Sequence, residues 1–391
     1  MTITAPSGFR AAGVAAGIKS SGALDLALVV NDGPQRHAAG VFTKNKIQAA
    51  PVLWSRQVLT TGRLRAVVLN SGGANACTGS QGFQTTHATA ERVAEVLGCG
   101  AAEVAVCSTG LIGGQLPREL VLSGVDAAAE KLSDTGQSAT EAATAVLTTD
   151  TRPKQAVYRD EAGWRIGGFA KGAGMIAPAM ATMLAVLSTD AAVEPLELDR
   201  ALRAASELTF ERLDIDGATS TNDTVLLLAS GASGVTVAAD ELTAALTTLC
   251  TGLVDQLQAD AEGVTKHVTV AVRGAATERE ALAVARGVAR DSLVKTAFFG
   301  ADPNWGRIAM AVGNADATID PHGLDIGLNG VLLCRDGEPA AHPASGDVLV
   351  PDLSGRDILV EIDLHVGRAK AQIRTTDLSP AYVEENSAYP S

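Results

Sequence analysis

The 391-residue chain sets 31 Lys and Arg against 44 Asp and Glu, and the resulting formal charge of −13 argues against a nucleic-acid or anionic-membrane surface, which needs a concentrated basic patch. Hydrophobic residues reach 46% while aromatics are only 3%, beside 40 glycines, which fits a globular chain with close backbone packing and many turns. The start, MTITAPSGFRAAG, lacks the basic and apolar regions of a signal peptide, and no apolar run nears the roughly 20 residues that span a bilayer, so a cytoplasmic location is expected.

The first β-rich run is 64–69, ending in the turn-forming Asn70-Ser71-Gly72-Gly73. A helix is predicted over 86–97, where Ala90, Val93 and Leu97 share a face before Gly98. A short strand over 103–107 then runs into Ser108-Thr109-Gly110. The Ala-rich stretch 137–147 has helical spacing and stops at Thr148-Thr149-Asp150-Thr151, residues that favour turns and caps. Further on, Leu198, Leu202, Ala205 and Thr209 mark one helix face, and Leu242, Leu246, Leu249, Leu253 and Leu257 mark a longer one that should end near Glu262-Gly263. Val268, Val270 and Val272 alternate as a half-buried strand, and Thr277-Glu278-Arg279-Glu280 has the form of a capping box. The stretch 337–352, with its Pro and Gly, reads as a loop. Mixed α/β follows, with no repeat and no conventional linker between independent domains. Five cysteines without a CxxC pair and six histidines without HExxH spacing point to reduced thiols and to no metal site.

The most unusual segment is 167–184, where small residues crowd around Lys171 and give way to the β-rich run 182–187. Gly172-x-Gly174-x-x-Ala177 imitates a dinucleotide fingerprint, but Pro178 follows and no helical pattern opens there, so the phosphate site at a helix N-terminus is missing. By composition alone the segment reads as a glycine-rich loop before a buried strand.

This segment is similar to the maturation site of the ornithine acetyltransferase family, also described as bifunctional glutamate N-acetyltransferases, whose precursors cut themselves between Ala and Thr of K-G-x-G-M-x-x-P-x-M-A-T-[ML]-L. Thr43-Lys44-Asn45, Ser108-Thr109-Gly110, Thr148-Thr149-Asp150-Thr151, Ser220-Thr221-Asn222-Asp223-Thr224, Glu262-Gly263, Lys295-Thr296-Ala297 and Asp302-Pro303-Asn304-Trp305-Gly306-Arg307 also look like this family, in the family's order. The resemblance implies a layered α/β sandwich of that type, self-cleaved at Ala181-Thr182 into interwoven α (1–181) and β (182–391) chains, and a heterotetramer of two α and two β chains. It implies Thr182 as nucleophile, Thr109 and Gly110 as the oxyanion hole, and Thr148, Lys171, Thr182, Glu262, Asn386 and Ser391 as substrate contacts. The implied reaction moves acetyl from N-acetylornithine to glutamate in arginine biosynthesis, without a metal or bound cofactor; acetyl-CoA is an open second donor.

The residues make chemical sense of this. A threonine hydroxyl needs an adjacent base, and cleavage would give Thr182 a free α-amine, with a reference pKa of about 7.7–8.0, on the nucleophile's own residue. Its β-branched side chain restricts the hydroxyl's orientations. Amide attack creates an oxyanion that backbone N–H groups at Thr109-Gly110 could meet, although an isolated S-T-G is also an ordinary turn. Lys171 suits a substrate carboxylate or a solvated surface; Glu262 suits an ammonium group or the charged end of an amphipathic helix. Thr148 competes in register with Thr149 and Thr151, and the segment bearing Asn386 and Ser391 is where tails usually fray. Two alternatives stand beside the acetyltransferase: an N-terminal-threonine aminopeptidase or amidohydrolase, in which water resolves the acyl-enzyme, and a non-catalytic metabolite-binding or scaffold protein.

Overall fold

Runs of Ala, Val and Leu without long polar interruptions become strands buried on both faces, and such strands need a layer on each side. The computed structural model describes residues 2–177, 183–340 and 350–388. The chain forms two compact units: one runs to Glu211 and resumes over Ala218–Asp260, and the other holds Arg212–Gly217 and begins again at Ala261. Among the described residues no helix is long and apolar enough to cross a membrane.

In chain order the first unit contains β1 (Phe9–Val14), β2 (Leu26–Asn31), β3 (His37–Phe42), α1 (Ala50–Val58), β4 (Ala66–Ser71), α2 (Gly79–Leu97), β5 (Val104–Thr109), α3 (Arg118–Glu130) and α4 (Gly136–Thr144). It continues with β6 (Lys154–Arg159), β7 (Arg165–Lys171), β8 (Leu184–Thr189), α5 (Pro195–Leu208), β9 (Thr224–Ala229) and α6 (Ala239–Ala259). Two sheets result, ordered β1-β2-β4-β5 and β3-β9-β8-β7-β6. The β4–β5 and β8–β9 pairs are parallel, while β7 and β8 run antiparallel from Ile166↔Thr189 to Lys171↔Leu184. Leu28, Val68 and Val106 from the first sheet share one core with Phe169, Val186 and Leu226 from the second.

Most predicted elements of this unit are present with shifted ends. The run 64–69 is β4, moved two residues on; 103–107 is β5, extended to Thr109; 137–147 is α4, capped by Thr135, whose hydroxyl accepts the Ser138 N–H at 3.2 Å. The helix expected over 86–97 starts at Gly79. Its first turns lack apolar periodicity and are tied to the preceding loop by polar bonds: the Asn75 amide donates to Gly82 O and to Thr86 Oγ1, both at 2.9 Å. The strand expected over 182–187 is β8, from Leu184. Ala181 and Thr182 themselves lie outside the described residues.

The second unit contains β10 (His267–Ala275), α7 (Glu278–Arg290), α8 (Ser292–Phe299), α9 (Trp305–Gly313), β11 (Asp325–Leu328), β12 (Val331–Arg335), β13 (Glu338–Pro339), β14 (Asp357–Asp363), β15 (Ala369–Thr376) and α10 (Pro380–Ala388). Among the described residues its strands form one sheet, in the order β13-β12-β11-β14-β10-β15. Val268, Val270 and Val272 enter its core with Val284 and Val288 of α7. The Thr277 hydroxyl accepts the Glu280 N–H at 3.2 Å, which is the cap the sequence predicts, while the Glu280 carboxylate turns to Thr318 N. The helix expected to end near Glu262-Gly263 ends at Ala259, because Asp260 turns back to hold residues 151 and 154 of its own unit. Most of the predicted loop 337–352 lies outside the described residues, and its start forms β13.

Candidate functional site

In the first unit, the ends of strands bring predicted residues together. β7 closes on Lys171, a lysine only 1% exposed, so the solvated-surface reading of it does not hold. Its ammonium donates to Thr148 Oγ1 at 2.7 Å and to Thr109 Oγ1 at 3.3 Å. Thr148 leaves α4 in a turn that puts its N–H 3.1 Å from Asp150 Oδ2. The register among the neighbouring threonines is thereby separated: Thr148 faces Lys171, whereas the Thr151 hydroxyl and N–H both go to Asp260.

Thr109 is the last residue of β5 and Gly110 follows at φ +125°, a conformation that favours glycine. The Thr109 carbonyl accepts the Gly73 N–H at 3.1 Å, fastening this turn to the one after β4. The loop before β9 links that turn to the strand behind the expected nucleophile. The Asn222 amide donates to Ser108 O at 2.8 Å and to Ala74 O at 2.6 Å, and the adjacent Asp223 Oδ1 accepts the N–H of Met183, the residue after Thr182, at 3.1 Å. Thr43 and Asn45 brace this loop, donating to Ser220 O at 2.7 Å and Thr219 O at 2.8 Å.

Charge beneath the site is arranged by residues that motif reading passed over. The Asp150 carboxylate lies within 3.6 Å of Lys171, accepts the Gly172 N–H at 2.6 Å and bonds Lys154, which also pairs with Asp260. Burial alone would raise the Asp150 carboxyl, but the charges of Lys171 and Lys154, the Lys154 hydrogen bond and the Gly172 N–H outweigh it and lower it to about 2. Asp223 has the opposite fate: complete burial dominates over the Met183 N–H, the charge of Lys171 and the Thr43 and Ser220 hydrogen bonds, so its carboxyl is pushed well above the usual range and is neutral over a wider pH span. Half-buried Lys19, its ammonium 2.6 Å from Leu147 O, is held below the ordinary lysine range mainly by burial. Asp150 stands inside the quoted Thr148–Thr151 motif, but nothing in spacing distinguishes a buried counter-ion from a turn former; Lys154 and Lys19 carry no local signal at all.

In the second unit, Glu262 and Asn386 meet: the Asn386 amide donates to Glu262 Oε2 at 2.8 Å and to Tyr382 O at 2.9 Å. The expected frayed tail is instead α10 as far as Ala388; Ser391 lies outside the described residues. The family-like Lys295 is buried and donates to Ile215 O at 2.8 Å and Thr375 Oγ1 at 3.1 Å, while burial lowers it to about 8. Asn304 caps α9 by accepting the Arg307 N–H at 3.2 Å. Both motifs make these contacts within the second unit.

Comparison with known proteins matches residues 10–391 to the model of the ArgJ family. The arginine biosynthesis bifunctional protein ArgJ of Mycobacterium tuberculosis is 60% identical over 394 residues, covering 100% of this chain and 96% of the relative. The Streptomyces coelicolor protein of the same name is 56% identical over 391 residues, covering all of both. Among solved structures, a chain of Mycobacterium tuberculosis ornithine acetyltransferase complexed with ornithine is 61% identical, covers 46% of this chain and 96% of its own, and has a TM-score of 0.46. The argJ protein of Bacillus halodurans is 31% identical, covers 52% and 97%, and has a TM-score of 0.47. With a family model spanning nearly the whole sequence and full-length relatives at this identity, the chain belongs to the ArgJ family.

Proposed function

We propose that this protein is a glutamate N-acetyltransferase that cuts itself at Ala181-Thr182 and carries acetyl from N-acetylornithine to glutamate on Thr182. The observation that carries the reading is the meeting of Lys171, Thr109 and Thr148 on strand ends whose neighbour, β8, begins two residues after Thr182. In the first half-reaction Thr182 Oγ attacks the acetyl carbonyl, the C–N bond to ornithine breaks as the C–O ester forms, and the hydroxyl proton passes through the Thr182 α-amine to the leaving nitrogen. In the second, the glutamate amine attacks the ester and the proton returns to Oγ. The Thr109-Gly110 turn supplies oxyanion donors, and Lys171 with Thr148 receives a substrate carboxylate. Family resemblance is the ground for proposing Glu262, Asn386 and Ser391 as further substrate contacts. The working form is an α chain of 1–181 with a β chain of 182–391, in a heterotetramer of two of each; acetyl-CoA is a further donor to be tried.

The test is an assay of purified protein with N-acetylornithine plus glutamate, beside acetyl-CoA plus glutamate. N-acetylglutamate should form from the first pair. Acetate released at the same rate with or without glutamate would instead make the protein an amidohydrolase.

A further inference from the structure

We propose that Asp150 is a positioning residue for the substrate-carboxylate site, one carboxylate that sets Lys171, Thr148 and Gly172 in a common frame. The inference rests on the reading above and deepens it. Oδ1 accepts the Gly172 N–H at 2.6 Å and bonds the Lys154 ammonium; Oδ2 accepts the Thr148 N–H at 3.1 Å and lies 3.6 Å from the Lys171 ammonium. Its side chain is 0% exposed, as is that of Lys154. Two stretches more than 20 residues apart in sequence, the turn after α4 and the end of β7, are thus located by the same two oxygen atoms.

The division of labour among the charges supports positioning over simple neutralisation. Lys154 sits on Asp150 and on Asp260 at close range, so Asp150 has a tight ion pair that does not involve Lys171. Lys171 makes its shorter contacts with two neutral hydroxyls, at 2.7 and 3.3 Å, and Asp150 attracts it from further off. Asp260 is kept in place by the Thr151 N–H at 3.1 Å and by the Thr151 hydroxyl. The titratable groups coupled to Lys171 include Asp150, with Lys154 and Asp260 behind it, Lys19 beside Leu147, and the buried Asp223. A buried network of this kind is a weak source of stability, because desolvation offsets much of the attraction, but it fixes geometry well.

Neutralisation and positioning predict opposite signs for Asp150→Asn. That change makes the site more positive, so if Asp150 only offset the charge of Lys171, a substrate carboxylate would bind more tightly. A positioning role means that it binds more weakly despite the added positive charge. The experiment compares N-acetylornithine with its carboxamide, which lacks the carboxylate, as acetyl donors to glutamate. In Asp150→Asn the acid-to-amide ratio of kcat/KM should fall about tenfold, mostly through the KM of the acid. A ratio that stays level or rises overturns the proposal, since a merely structural loss lowers both donors together. Should Asp150→Asn fail to fold or mature, Asp150→Glu carries the test: the charge is kept while the oxygens that hold Gly172 and Thr148 are displaced, so neutralisation leaves the same ratio unchanged and positioning makes it fall, an unchanged ratio again overturning the idea. Wild type that transfers acetyl from neither donor would defeat the parent reading and not this one.

Discussion

Gly110 holds φ +125°, and a Cβ built there would lie 2.8 Å from Gly73 N, against backbone that has no flexible end to yield. Gly110→Ala should therefore shift the Thr109-Gly110 turn and lower kcat by about 10²–10³, on the order of 3 kcal/mol for one lost oxyanion donor. Steady-state rates at saturating donor check this, and an undiminished kcat would place the oxyanion donors elsewhere. Two buried carboxylates should make stability depend on pH in opposite directions. Asp150, lowered to about 2 in the fold, contributes stability that is full above the unfolded value of about 3.9 and is lost as pH falls toward 2. Asp223 is raised, so its contribution is full below about 3.9 and declines as pH rises toward its folded value. Thermal midpoints measured from acid to neutral pH should show the deficit of Asp150→Asn shrinking toward low pH and the stability of Asp223→Asn, relative to wild type, growing toward neutral pH.

At the scale of elements, Gly263 is the joint on which α10 rests. It has φ +60°, and an added Cβ would lie 2.2 Å from Tyr382 N, so even alanine must push the first turn of α10 away. Gly263→Ala is expected to part Glu262 from Asn386, raising hydrogen exchange over 380–388 and raising KM more than it lowers kcat. Exchange at wild-type levels would show that α10 does not depend on this contact. Elements also show where sequence patterns stop being informative. Thr277 and the valines of β10 were legible because a cap and a period-2 alternation are local signals. The first turns of α2 were not, since Asn75, which holds them through Gly82 O and Thr86 Oγ1, looks like a loop residue until the helix forms beside it.

At the scale of the molecule, the expected scissile bond falls between β7 and β8, adjacent strands paired over six registered positions in one sheet. Cleavage there should yield fragments that stay together in native gel filtration and separate under denaturing electrophoresis, the smaller-numbered chain ending at Ala181 and the other beginning Thr182-Met183-Leu184. Thr182→Ala should remain intact, and a fully active wild type that is never cut would sink the mechanism. Incubation with N-acetylornithine alone should add one acetyl group to the β chain, removed by glutamate. The amino-acid sequence by itself determined the family, about half of the helices, a minority of the strands, and the residues expected at the site, because collinear motifs and apolar periodicity are written along the chain. It also contained Asp150 and Asp223 inside quoted motifs without distinguishing one from the other. Only the tertiary structure decided that Lys171 is buried between Thr109 and Thr148, that Asp150 is held ionised by two lysines, and that Asp223 lies where burial outweighs its hydrogen bonds. Burial and charge pairing depend on which distant strands end side by side, and no local pattern records that.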